Sequence, residues 1–142
     1  MKTYGGFLIS QIHQLQGRVF ERMLKEIGVE AFNGAQGRIL YVLWEQDQLS
    51  ITEISRLTSL AKTTLTSMLD RLEESGLVVR IPDKKNRRQI FISITDKAKE
   101  YRDMYDQVSE RMNLMFYKDF TEAEIAEFEN TLKRIIQNLE KE

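Results

Sequence analysis

The chain has 142 residues, of which 42% are hydrophobic and 30% charged, with seven Gly and a single Pro, Pro82. That is the composition of an ordered, helix-rich soluble protein of one domain, or of one domain with helical extensions. No cysteine is present, which excludes disulfides, thiolate catalysis and thiol-based redox sensing. The net charge of −1 hides an uneven distribution: Ile54–Thr95 holds eight Lys/Arg against four Asp/Glu, or +4, and the remainder is −5. Such a split suggests one DNA-facing segment on an acidic body. The N-terminal stretch MKTYGGFLISQIHQLQ lacks the apolar core of a signal peptide, and no later run approaches the ~20 apolar residues of a membrane span. A cytoplasmic protein without membrane contact is expected.

A first helix is predicted over Phe7–Ile27, where Leu8, Ile12, Leu15, Val19, Met23 and Ile27 recur at three- and four-residue spacing beside Phe20 and Leu24. Gly28 suits the left-handed position after a helix, with Val29 packing back on Leu24 as in a Schellman cap. This stripe is wider than one small domain needs, which leaves two readings, packing within the chain or burial against a partner subunit. Asn33 caps the next helix, Ala35 to about Glu45, with Ile39, Leu40, Leu43 and Trp44 on its buried side.

The stretch from Ser50 to Thr95 carries the strongest local signals. Ser50-Ile51-Thr52-Glu53 has the form of a capping box, flanked by Leu49 and Ile54 as a hydrophobic staple. A short helix is predicted to end near Leu57 or Thr58, followed by the turn Thr58-Ser59-Leu60 and a second helix from about Ala61 to Ser75. Leu65, Met68, Leu69 and Leu72 share one face of that second helix, while Thr63, Thr64, Ser67, Asp70, Arg71 and Glu74 point the other way. Gly76 ends it. Strands are predicted at Leu77–Ile81 and Gln89–Ile94, joined by the loop PDKKNRR with a net charge of +3. Beyond them, a long helix is predicted from Asp96 to about Tyr117. A second capping box, Thr121 to Glu124, opens the last helix, which runs through Phe128, Leu132, Ile135, Ile136 and Leu139.

Two helices followed by a basic hairpin make a winged helix-turn-helix. Such a motif needs its second helix held by apolar contacts while the opposite face offers small polar and basic groups to the ~12 Å wide major groove. Thr63, Thr64, Thr66 and Ser67 supply short hydroxyls, and Lys62 and Arg71 can neutralise phosphates. The bland alternative for this helix is an ordinary solvated face. Clustering Lys84, Lys85, Arg87 and Arg88 in one loop brings no evident gain to an isolated fold, whereas a phosphate backbone or a narrow minor groove attracts them.

The order of elements resembles the MarR (multiple antibiotic resistance regulator) family of bacterial transcription factors. The matching motifs are Thr52-Glu53-Ile54-Ser55, Thr63-Thr64-Leu65-Thr66, Asp70-Arg71-Leu72-Glu73, Gly76-Leu77-Val78 followed by Arg80, and the wing leading into Ile94-Thr95. The resemblance covers essentially the whole chain and implies a mainly α (α+β) fold. In it, an N-terminal dimerisation helix (1–33), a winged helix-turn-helix DNA-binding region (34–95) and C-terminal dimerisation helices (96–142) form one interlocked homodimer. The function it implies is a repressor of a palindromic operator in double-stranded DNA, released by a small aromatic or phenolic ligand. Arg88 looks like the family's wing-tip arginine. The family commonly has an aspartate two residues earlier, and here Asn86 stands there, able to hydrogen-bond the guanidinium; Asp83 and Arg87 are placed to share that role. His13, Tyr41 and Arg80 are neighbours of the expected ligand crevice, although no ligand residue is assigned. An enzyme is not expected: His13 is the only histidine, and no phosphate loop, cofactor motif or metal-ligand spacing appears. Two readings from other classes are a winged helix serving as a protein-interaction module, its basic loop meeting an acidic partner, and a small-molecule-binding protein without DNA binding.

Overall fold

The structure is a computed structural model that describes residues 1–86 and 88–142, so Arg87 of the expected wing lies outside the described residues. Its elements run α1 (Gly5–Glu26), α2 (Gly34–Glu45), β1 (Leu49–Ser50), α3 (Ile51–Thr58), α4 (Lys62–Glu74), β2 (Val78–Pro82), β3 (Ile90–Ile94), α5 (Asp96–Lys99), α6 (Arg102–Phe116) and α7 (Glu122–Glu140). The chain divides into two compact units, Met1–Ser109 and Glu110–Glu142.

In the first unit, α1 ends as its sequence predicts. Gly28 takes φ +84°, its N–H donates to the Lys25 carbonyl at 3.0 Å, and the Val29 N–H reaches the Leu24 carbonyl at 2.9 Å. These are the two bonds of a Schellman motif. Only the C-terminal end of α1 enters this unit's core, through Met23 and Leu24, whereas Phe7, Leu8, Ile9, Ile12 and Leu15 are exposed. Packing within the chain therefore covers the C-terminal half of the stripe, from Val19 to Ile27, and leaves Leu8, Ile12 and Leu15 outside.

Asn33 and Gln36 form a reciprocal capping box at the start of α2, and the Gly34 N–H donates to the Glu21 carboxylate on α1. Ile39, Leu40 and Leu43 are fully buried. Trp44 is core, and its indole N–H donates to the Ala98 carbonyl at 3.1 Å, so burying the ring leaves no polar group unpaired. Around Tyr105 on α6, the rings of Phe20, Phe32, Tyr41 and Trp44 lie 5.4–6.3 Å away. This contact requires Gly37 on α2, because a Cβ there would stand 2.6 Å from Tyr105 Cε2.

The sheet has three antiparallel strands in the order β1-β3-β2, where the sequence predicts two. β2 and β3 form the hairpin, with Val78 opposite Ile94, Arg80 opposite Ile92 and Pro82 opposite Ile90. The extra strand is two residues long, Leu49 opposite Ile92 and Ser50 opposite Phe91. No periodicity can show so short a strand; its pairing is set by the Asp47–Ser93 contact described below. Ile90 is 40% exposed because it lies beyond the reach of the core, in the outer part of the wing.

A second departure is the long helix expected from Asp96, which is broken at Glu100 and Tyr101 into α5 and α6. The Ala98 carbonyl accepts from both the Tyr101 N–H and the Trp44 indole, and the Tyr101 ring packs edge-on against Phe32 at 5.6 Å. Tertiary contacts of Trp44 and Phe32 thus tighten one turn that propensity alone would continue.

The second unit is the end of α6, a turn and α7. Thr121 and Glu124 form the expected capping box, at 2.9 and 3.1 Å. The Tyr117 hydroxyl donates to Glu129 at 2.6 Å amid Phe116, Phe120 and Phe128. Burial and the Glu129 carboxylate push the Tyr117 phenol up to about 12, which keeps it a neutral donor at physiological pH. Leu114, Met115, Phe120, Ile135, Ile136 and Leu139 are exposed.

Candidate nucleic-acid interface

α3, the following turn and α4 are locked by side chain-to-backbone bonds. The Ser50 hydroxyl accepts from the Glu53 N–H at 3.1 Å while the Glu53 carboxylate accepts from the Ser50 N–H at 3.0 Å, and the staple residues Leu49 and Ile54 are fully buried. Ser59 caps α3 in the left-handed region at φ +59°. The Ser55 hydroxyl donates to the Leu60 carbonyl, and the Thr58 hydroxyl donates to Ile54 and accepts from the Leu60 N–H. At the far end of α4, Gly76 at φ +75° closes another Schellman motif, with N–H bonds from Gly76 to Glu73 and from Leu77 to Leu72. The α3–α4 turn and the exit of α4 toward β2 are therefore each fixed by hydrogen bonds to the main chain.

Leu65, Leu69 and Leu72 anchor α4 in the core at 0–1% exposure. Lys62, Thr63, Thr64, Thr66, Ser67 and Arg71 are all exposed. At ~100° per residue, Thr63, Ser67 and Arg71 lie within about 80° of arc, one face of roughly two turns. The Thr66 hydroxyl is already donating to the Lys62 carbonyl at 2.8 Å, which leaves its methyl and its acceptor lone pairs for an outside group.

In the wing, the Asp83 carboxylate accepts from the Lys85 N–H and the Asp83 N–H donates to the Gln89 carbonyl. Asn86 uses its side-chain carbonyl to accept the main-chain N–H of Arg88 at 3.1 Å. The expected bond from Asn86 to the Arg88 guanidinium is thus replaced by one that shapes the turn. Asp83 likewise serves the loop backbone and does not hold Arg88. Lys84, Lys85 and Arg88 are exposed, with no ion pair among the described residues.

Two constellations at the base of the wing escaped the sequence reading. Arg80 on β2 donates from both ends of its guanidinium, to Asp70 at 2.7 Å and to Glu73 at 2.6 Å, both on α4. Burial opposes its charge, but the hydrogen bonds to the two carboxylates outweigh that and raise its pKa above the ordinary value. The spacing Asp70-x-x-Glu73 was the available signal, since two acids three apart on a helix offer one cation a shared seat. The other is Asp47, in the α2–β1 connection. It accepts from the Ser93 hydroxyl at 3.1–3.2 Å, from the Ile94 N–H at 3.0 Å and from the Gln48 N–H at 2.8 Å. Ser93 and Ile94 are 46 and 47 residues away in sequence, so no local pattern announces them.

A groove of about 640 Å³ runs between α1 and α2, lined by His13, Arg18, Phe20 and Arg38, with Leu60 from the α3–α4 turn at one side. Of the three residues placed near a ligand crevice, His13 lines this groove. Tyr41 stands half-exposed against Tyr105, and Arg80 is engaged at the wing. Among the described residues, no group of three or more His, Cys, Asp or Glu is placed to hold a metal ion, and no helix is long and apolar enough to cross a membrane.

Helix-turn-helix, three-stranded wing and exposed hydroxyl-bearing helix together define a winged helix-turn-helix protein. A sequence model of the MarR family matches residues 32–90. Over 134 residues the chain is 26% identical to the HTH-type transcriptional repressor IacR of Pseudomonas putida, covering 94% of this chain and 78% of that one. Among solved structures, reduced AbfR bound to DNA is similar at 30% identity with a TM-score of 0.69, over 92% of this chain and 91% of that one. A mutant MarR from Escherichia coli complexed with operator DNA shares the fold at a TM-score of 0.82 and 23% identity, over 95% and 99% of the two chains. The chain belongs to the MarR family and is a transcriptional regulator of that family, as its relatives are; they are not enzymes.

Proposed function

We propose that the protein is a homodimeric, cytoplasmic repressor that binds a palindromic operator and is released by a small aromatic acid. The observation that carries this reading is the exposed face of Thr63, Thr64, Ser67 and Arg71 on a helix whose opposite face is anchored by three buried leucines. In this reading α4 enters the major groove, Thr66 offers its methyl to a base edge, and Lys62 and Arg71 meet phosphates. Lys84, Lys85, Arg87 and Arg88 of the wing reach the backbone and the adjacent minor groove. Residues 34–95 are then the DNA-binding region, between the dimerisation helices of 1–33 and 96–142. The exposed apolar side chains of α1 and of α7 support a partner subunit, since burial against a second copy removes that surface from water at ~25 cal/mol per Å². For the ligand, Arg18 and Arg38 offer charge to a carboxylate and Phe20 a ring face in the groove beside Leu60.

Fluorescence anisotropy with a duplex from upstream of the protein's own gene tests the reading. Six to ten phosphate contacts per dimer predict a log–log salt slope of about −5 to −9. No binding at low salt, or a slope near zero, would refute it. Sedimentation of a chain ending at Glu122 is expected to show loss of the dimer, and benzoate is expected to weaken the wild-type DNA complex.

A further inference from the structure

We infer that Arg80 serves DNA binding as a charge mask, neutralising Asp70 and Glu73 on the recognition helix without itself touching the duplex. This rests on α4 being the DNA-facing helix. At ~100° per residue, Asp70 lies about 20° from Thr63 and about 60° from Ser67, at the Thr63 edge of the face offered to DNA. Glu73 follows about 60° further round. Two bare carboxylates there oppose a phosphate backbone that Lys62 and Arg71 on the same helix must approach.

The geometry shows how the conflict is resolved. Arg80 sits on β2 in register with Ile92, and its guanidinium forks to the two acids at 2.7 and 2.6 Å. Its side chain is 23% exposed, against 58% and 43% for Asp70 and Glu73. The cation is thus the covered partner, and it approaches the acids from the sheet side. Each terminal nitrogen donates to one of the two acids and the side chain is mostly covered, so Arg80 is assigned as a positioning residue for the interface and not as a contact to DNA. The arrangement also explains why a DNA-facing helix carries acids at all: they seat the wing on α4, and the same ion pairs remove their charge from the interface.

Charge masking, direct phosphate contact and simple tethering of the wing separate in one set of variants. Each is assayed for affinity to a fluorescein-labelled mixed-sequence duplex across a salt series, with thermal melting alongside. Wild-type binding that weakens steeply with salt establishes the DNA-binding reading independently of Arg80. Arg80→Gln is expected to weaken binding about tenfold at low salt, from two newly exposed charges near phosphates. Asp70→Asn with Glu73→Gln is expected to bind at least as tightly as wild type. The triple variant is expected to return to within about threefold of that double variant, because no charge is left to mask. A triple variant as weak as Arg80→Gln, or an Arg80→Gln variant with wild-type affinity, overturns the proposal. If Arg80→Gln does not fold, the double variant decides alone: wild-type or tighter binding supports masking, and weaker binding overturns it.

Discussion

Replacing Asp47 by Ala tests how the base of the wing is held. In the intact protein the Asp47 carboxylate accepts from the Ser93 hydroxyl at 3.1–3.2 Å and from the Ile94 N–H at 3.0 Å, joining the α2–β1 connection to β3. Ser93 is 7% exposed, so its hydroxyl loses its partner in a place where water replaces it poorly. Ile94 is only half-buried, and its N–H regains part of its bonding from solvent. One poorly compensated group and one partly compensated group amount to about 2 kcal/mol of lost stability. For a chain of this size that is a drop of roughly 6–8 °C in melting temperature, measured at fixed protein concentration because the proposed dimer melts in a concentration-dependent way. Urea denaturation gives the free energy, and hydrogen exchange of the Ile94 amide reports the site itself. Protection of that amide is expected to fall in Asp47→Ala more than protection of the Leu65 amide in α4. Combining Asp47→Ala with Ser93→Ala is expected to cost less than the sum of the two, since the second change removes the stranded hydroxyl. A single variant that unfolds within about 0.5 kcal/mol of wild type would refute the reasoning.

Gly37→Ala is expected to destabilise by about 1 kcal/mol, the overpacking of a Cβ against Tyr105 being offset in part by the helix propensity gained; thermal melting checks the sign, and a stabilised variant would show that the Tyr105 ring yields freely. Ser50→Ala removes the capping-box acceptor and is expected to lower stability by about 1 kcal/mol in urea, with no change at all counting against the bond. Arg88→Ala is expected to weaken operator binding about tenfold and to lower the salt slope by about one per protomer, with the melting temperature unchanged; wild-type affinity in anisotropy would remove the wing from the interface.

Much of this fold is legible locally because its stop and start signals are chemical. Gly28 and Gly76 adopt the left-handed conformations their positions announce, and the Ser50–Glu53 and Thr121–Glu124 boxes close with the expected bonds. Asn33 was legible as a cap, although its reciprocal bond with Gln36 was not anticipated. The departures come where tertiary contacts outweigh local preference. Trp44 and Tyr101 share the Ala98 carbonyl and interrupt a helix whose sequence reads as continuous.

The candidate interface divides the same way. Its inventory of hydroxyls and cations follows from sequence, because a buried leucine stripe at helical spacing dictates which residues of α4 are left outside. What those residues are free to do was decided by the tertiary structure. Asn86 and Asp83 are consumed by the wing backbone, while Arg88 remains free of ion pairs among the described residues. Arg80, which shares the positive charge of its segment, is withdrawn into a fork with Asp70 and Glu73. Composition therefore determined the class of partner this segment can meet, through charge and side-chain type. Only folding determined which charges are available to that partner, because ion pairing depends on distances of a few ångström between residues that the sequence keeps apart.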